Sequence, residues 1–229
     1  MADGISDDEF RILIEELNQR LHDAALAGDV VKLREAIDAG ADVEAERGTR
    51  GSFTRTPLCS VVELHTEKVS DRAEKGRTAC VRALLDAGAS ASAAVVIYDD
   101  EEQSSYTVMH NAAYYGFATI CRLLLDAGAA LNMRDDEDTL PLQYAVIEKR
   151  HRTVVLLLSQ GATTDGCTAM LEEYSPGYHS RISSAGSFAN YQKQQRAKLM
   201  AMLAPKIDHL LPPELVSHVI TFWGHLGWN

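Results

Sequence analysis

The 229-residue sequence predicts an all-α fold, a solenoid of stacked helix-turn-helix units with an N-terminal capping helix. Three observations carry this. The dipeptide Gly-Ala recurs after leucine-rich runs, at Gly40-Ala41, Gly88-Ala89, Gly128-Ala129 and Gly161-Ala162. Its glycines are 48, 40 and 33 residues apart, the last interval being a bare period and the longer ones that period plus insertions. A period near 33 marks stacked helical pairs, each too small to bury its apolar face alone. Finally, the segments before the glycines place apolar residues at three-and-four spacing, as in Ile120, Leu123, Leu124 and Ala127.

Composition narrows the class. Hydrophobic residues make up 46% and charged ones 24%, the balance of an ordinary soluble folded chain. Lys plus Arg number 22 against 33 Asp plus Glu, a net charge of -11. That acidity argues against a nucleic-acid binder, where neutralising phosphate supplies most of the affinity. No apolar run approaches the roughly 20 residues needed to cross a bilayer. The opening stretch Asp3 to Glu9 is acidic where a leader would be basic, so the expected address is cytoplasmic or nuclear, with no membrane partner.

Taken in order, Ser6-Asp7-Asp8-Glu9 reads as a capping box opening the first helix. Phe10, Leu13, Ile14, Leu17 and Leu21 then form a stripe able to cover the end of a stack. The third unit is the cleanest. Thr107 is a plausible N-cap for Val108-Met109-His110-Asn111-Ala112-Ala113-Tyr114-Tyr115, Gly116 can close that short helix, and a second helix follows from Phe117 to Leu125.

These residues resemble the ankyrin repeat. The second unit has Thr56-Pro57-Leu58-Cys59 at the family's Thr-Pro-Leu-His tetrapeptide. The fourth has Thr139-Leu140-Pro141-Leu142, read with its proline one place late, and the first keeps Leu21-His22-Asp23-Ala24-Ala25 and Ala27-Gly28-Asp29. The expected organisation is a tail and capping helix over residues 1–20, four repeats over 21–165, a degenerate fifth repeat with an insertion over 166–206, and a C-terminal helix over 207–229.

The resemblance implies that His22 and His110 are structural, each bonding its own turn and the neighbouring repeat. It places Cys80 and Cys121 on the buried stripe of second helices. Cys59, Cys80, Cys121 and Cys167 are too far apart for a zinc knuckle, and no phosphate-binding glycine loop is present. The expectation is therefore a non-enzymatic protein with no cofactor and no metal, and its implied function is to bind another protein. A redox protein is the competing class, requiring a cysteine of lowered pKa in an exposed electropositive pocket.

In such a stack the inter-repeat loops project side by side. The first carries Arg47, Arg50 and Arg55, suited to an acidic partner segment. The next two carry Asp99-Asp100-Glu101-Glu102 and Asp135-Asp136-Glu137-Asp138, suited to a basic one. Tyr106, Tyr114 and Tyr115 occupy the family's variable, target-facing positions and form the expected contact cluster. Polar insertions are expected at 65–77 and 175–187.

The last nineteen residues open with Leu211-Pro212-Pro213-Glu214-Leu215, followed by Val219, Phe222 and Trp223 on the apolar surface of a helix. The segment resembles the start of an F-box and the related PRANC motif of viral ankyrin proteins. That resemblance implies docking to a cullin ubiquitin-ligase adaptor; the alternative is that the helix closes the C-terminal end of the stack.

Overall fold

The computed structural model describes residues 7–49, 53–63, 71–99 and 102–174, with the further positions 184, 190, 191, 193, 194, 197, 198 and 201. The predicted positions Ser6, Arg50, Asp100 and Glu101 lie outside the described residues. So does the tail with Leu211, Pro212, Glu214, Leu215, Val219, Phe222 and Trp223.

Nine helices and four strands follow one another within the described residues. They are α1 (Asp7–Ala27), α2 (Val30–Asp38), β1 (Arg47–Thr49), β2 (Phe53–Arg55), α3 (Pro57–Val62), α4 (Asp71–Asp86), β3 (Ala94–Asp99) and β4 (Glu102–Thr107). Then come α5 (Val108–Tyr115), α6 (Ala118–Asp126), α7 (Pro141–Ile147), α8 (His151–Ser159) and α9 (Thr168–Tyr174). The odd-numbered helices form one row, α1 on α3, α3 on α5, α5 on α7 and α7 on α9. A second row is built by α2, α4, α6 and α8, each packed on its partner in the first. Short apolar helices give each pair a single stripe to bury: Leu84, Leu124 and Leu157, four residues before their Gly-Ala glycines, are fully buried between the rows, as is Leu33 in the first unit.

Helix ends follow local chemistry. Asp29 caps α2, its carboxylate accepting from Val31 N–H at 3.1 Å and Lys32 N–H at 3.2 Å. Pro57 and Pro141 open α3 and α7 at the first turn, where a missing N–H costs nothing. The cap of α7 is Leu140, so Leu140-Pro141-Leu142-Gln143 is the true tetrapeptide of the fourth unit. Its proline is in place, not one residue late, and Gln143 stands where the third unit has His110.

Two more expectations are corrected. The all-α class is incomplete: the first two loops pair into an antiparallel sheet of order β1-β2-β3-β4, with Phe53 opposite Ile97 and Val95 opposite Tyr106. The capping helix and the first repeat's first helix are one continuous α1, with no break at residue 20. Leu17 and Leu21 of its stripe are buried, but Phe10, Ile12 and Leu13 are exposed.

Arginines lock successive pairs together. Arg77, which α4 presents rather than an irregular insertion, donates to the carbonyls of Val61, Glu63 and Leu26. Arg150 sits eleven residues before Gly161 as Arg77 does before Gly88, and its Nε donates to Tyr114 O at 2.9 Å. Gly116 takes φ 82° beneath that side chain, where a methyl group would lie 2.7 Å from Arg150 Cδ. Gly40 has φ 96° with nothing within 4 Å. Gly40→Ala is therefore expected to cost about 1 kcal/mol for the left-handed backbone alone. Gly116→Ala should cost about 2–3 kcal/mol, because Arg150 must also give up its carbonyl bond. Urea unfolding checks this, and adding Arg150→Ala to both backgrounds should bring the two penalties together.

Candidate interaction surface

Of the predicted contact tyrosines, Tyr114 and Tyr115 lie on α5, in the odd-numbered row taken here as the inner helices, and Tyr106 lies on β4. Tyr114 near the end of α5 is 39% exposed, whereas Tyr115 and Tyr106 are half-buried and pack against the core. Tyr115 meets Tyr114 edge-on at 5.1 Å between ring centres and lies 6.0 Å from Phe117. Burial pushes the Tyr106 phenol up. Of the three tyrosines, only Tyr114 is exposed.

A fourth tyrosine completes the surface. Tyr144 on α7 meets Tyr114 at 6.2 Å and His110 at 5.8 Å, both edge-on. Its hydroxyl donates to Asp135 Oδ2 at 2.8 Å, and burial together with that carboxylate pushes the phenol well above its usual value. Ile147, one turn further along α7, is 54% exposed. Sequence reasoning missed Tyr144 and Ile147 because the fourth unit was set one place out of register. Aligning Pro141 with Pro57 would have put both at variable inner positions.

The loops are more occupied than their charges suggest. Arg55 is turned inward, 8% exposed, paired with Glu63 and stacked 4.4 Å from the centre of the Phe53 ring, so it presents no charge to a partner. Arg47 is half-buried with Nη1 2.7 Å from Asp23 Oδ1. These diversions matter because Arg47 and Arg55 are opposite one another on β1 and β2, where like charges repel. Asp99 and Glu102 pair at the tip of β3–β4.

In the third loop, Asp135 accepts from Glu137 N–H at 3.1 Å and Thr139 N–H at 2.8 Å. Asp138, at φ 59°, pairs with Arg134 at 3.1 Å. Asp136 accepts from both the N–H and the hydroxyl of Ser105, at 2.6 and 3.0 Å, and donates its own N–H to Ser105 O. It thus satisfies an edge residue of β4 that would otherwise be open to another strand. Glu137 is exposed.

Burial also decides the candidate chemistry. All four cysteines are buried as free thiols. Desolvation pushes Cys59, Cys80 and Cys167 up to about 11 and Cys121 to about 12, the opposite of a reactive thiol. No group of three His, Cys, Asp or Glu side chains among the described residues is arranged to hold a metal. No helix of the described residues is long and apolar enough to cross a membrane.

The two buried histidines are bridges between units. His22 Nε2 lies 2.8 Å from Ala45 O and its Nδ1 3.1 Å from Ser60 Oγ. His110 Nδ1 accepts from Thr107 N–H at 3.1 Å, so the neutral ring carries its proton on Nε2, 3.1 Å from Thr139 O. Gln143 does the same work without titrating, accepting from Leu140 N–H and donating to Gly166 O at 3.2 Å. Desolvation lowers both histidines below 6.5. Below pH 6.5 the unfolded chain therefore binds protons that the folded chain refuses, so stability is full above 6.5 and lost as pH falls. His110→Gln is expected to retain most stability at pH 7.5 and to show a smaller fall in thermal midpoint between pH 7 and pH 5 than the parent. An unchanged pH slope would remove His110 from the account.

Comparison with known proteins matches this geometry. Residues 71–166 fit the family model of ankyrin repeats (3 copies). The chain is 30% identical over 107 residues to an Arabidopsis thaliana protein named "Putative E3 ubiquitin-protein ligase XBAT31", covering 42% of this chain and 22% of that one. It is 29% identical over 130 residues to the E3 ubiquitin-protein ligase KEG of the same plant, covering 57% and 7% respectively. Diacylglycerol kinase zeta of Rattus norvegicus is 32% identical over 127 residues, 56% of this chain and 12% of the kinase. The chain spans less than a quarter of each relative, and these relatives differ in what their names say they do. What they share with it is the ankyrin repeat, which residues 71–166 of this chain match.

Proposed function

We propose that the protein is a non-enzymatic binding module whose repeats form an open solenoid and grip a partner protein along the inner helices and loop tips. The observation that carries this is the pair of exposed apolar side chains Tyr114 and Ile147 on the adjacent helices α5 and α7, with the half-buried Tyr144 ring beside Tyr114. Tyrosine offers large area and few rotors, and the stack below holds it still, so little ordering entropy is lost on docking. Asp135, bonded to Tyr144, brings the acidic run Asp135 to Asp138 beside these rings, and with the run Asp99 to Glu102 it suits a partner with a basic segment, which their field would steer.

Tyr114→Ala with Ile147→Ala is expected to weaken partner binding by about 2 kcal/mol while moving the thermal midpoint little. Tyr115→Ala, which removes a packed ring, should do the reverse. Affinity capture from the native cell followed by calorimetry with the recovered partner checks both, and a double variant that binds as the parent does would sink this surface.

Association carries a second signature. The reach of exposed charges is about 8 Å at physiological salt. Raising salt to molar levels should slow association markedly and change dissociation much less, and neutralising Asp99, Asp100, Glu101 and Glu102 together should reproduce that. Flat association rates in surface plasmon resonance would leave these loops as spacers.

A second reading rests on Leu211, Pro212, Glu214 and Leu215, whose F-box-like pattern suits a cullin ubiquitin-ligase adaptor. In that reading the repeats choose the target and the tail recruits the ligase. Leu215→Asp with Phe222→Asp in the full chain would then lose cullin and adaptor subunits from the captured material while keeping the target.

A further inference from the structure

We propose that the inner face of the third and fourth repeats receives a single cationic side chain, lysine or arginine, carried on an extended segment of the partner. This rests on the protein-binding reading above and assigns the chemistry of its central contact.

Four features of the surface carry it. Two tyrosine rings, Tyr114 and Tyr144, stand at 71° to each other, and Tyr115 stands at 89° to Tyr114. Of these rings Tyr114 is 39% exposed, and an exposed tyrosine ring offers a face that carries negative charge density. A cation within about 6 Å of a ring centre is attracted to that density. Second, the platform is rigid where it needs to be, since Asp135 holds the Tyr144 hydroxyl at 2.8 Å and is itself fixed by two backbone N–H groups.

Third, the neighbourhood has an excess of negative charge and both its arginines are engaged, leaving the exposed Lys149 against the carboxylates of Asp135 to Asp138 and Glu148. Arg134 is paired with Asp138, and Arg150 is taken up by Tyr114 O and lies 3.9 Å from Glu148. Glu137 is exposed in the same loop, and His110 behind Tyr144 is held neutral by burial. An incoming guanidinium or ammonium therefore meets carboxylates without a competing positive charge from the ring beside it.

Fourth, Asn111 occupies in α5 the position that Tyr144 occupies in α7. It is 8% exposed, and its side-chain nitrogen has no hydrogen-bond partner among the described residues. A buried amide donor of this kind seeks a carbonyl oxygen. A cationic side chain has none to offer, whereas the backbone of the segment bearing it does, which is why the occupant is a polypeptide and not a small amine.

The test uses the full chain with uniform isotope labelling and three capped tripeptides, acetyl-Ala-Arg-Ala-amide, acetyl-Ala-Lys-Ala-amide and acetyl-Ala-citrulline-Ala-amide, titrated at 150 mM salt. The expected result is saturable shifts of the Tyr114 and Tyr144 ring signals and the Asn111 side-chain amide with the charged peptides, and at least fivefold weaker binding of the citrulline peptide. Tyr114→Leu, which keeps apolar bulk without the ring, should weaken the charged peptides at least fivefold, and Glu137→Gln at least twofold. The relative strength of the arginine and lysine peptides distinguishes the two cations. Equal binding of the citrulline peptide, shifts spread over all acidic loops alike, or indifference to Tyr114→Leu would each overturn the assignment. If Tyr114→Ala with Ile147→Ala still abolishes partner capture in that case, the inner-face reading stands and only the cation falls.

Discussion

In the first, third and fourth units a buried polar side chain ties the unit to the loop that follows, and the stack is organised around these bonds. The side chain is His22 in α1 and the third residue after the cap in α5 and α7, and each reaches a carbonyl of that loop. His22 reaches Ala45, His110 reaches Thr139 and Gln143 reaches Gly166. A buried carbonyl left without a donor costs about 1–3 kcal/mol, comparable with the packing of a whole side chain. The second unit has Cys59 there, a residue with no donor of useful strength. In that unit the carbonyl of Ala93, five residues past its glycine as Ala45 and Gly166 are past theirs, accepts instead from the backbone N–H of Val108 at 2.9 Å.

That bond sits at the base of the sheet, where β3 and β4 pair Ala94 with Thr107. The preceding loop then pairs onto β3 through Phe53 and Thr54, which removes one open edge. Asp136 deals with the other by answering Ser105 as a neighbouring strand would.

The repeat was legible because it is written in local, periodic signals, the Gly-Ala steps, the prolines at helix starts and the apolar stripes. Burial of Cys80 and Cys121 and the structural place of His22 and His110 follow from register alone. The strands were not legible, since β1 and β2 are three residues each and their partners lie far along the chain, as Phe53 with Ile97. Length makes such a segment ambiguous, and only tertiary pairing decides it. The fourth repeat was read one place late because Thr139 looked like the cap, yet Leu140 holds that place with its N–H answered by Gln143. The same slip hid Tyr144. Arg55 was counted as a surface charge because nothing local announces that Glu63 and the Phe53 ring take it inward.

With the register set, the variable inner positions line up as two columns, and their chemistry changes along the stack. One runs Asp23, Ser60, Asn111, Tyr144 and the other Leu26, Glu63, Tyr114, Ile147. In the first two repeats these positions serve the fold: Asp23 holds Arg47, Ser60 stands beside His22, and Glu63 neutralises Arg55. In the third and fourth repeats the columns turn apolar and aromatic, and Tyr114 and Ile147 are exposed. Packing accounts for only part of the Tyr114 ring, and the proposed reading gives its exposed part, with Ile147, a use in contact with a partner. In that reading the first two repeats serve the sheet, and recognition falls to the third and fourth, where that bracing is no longer required.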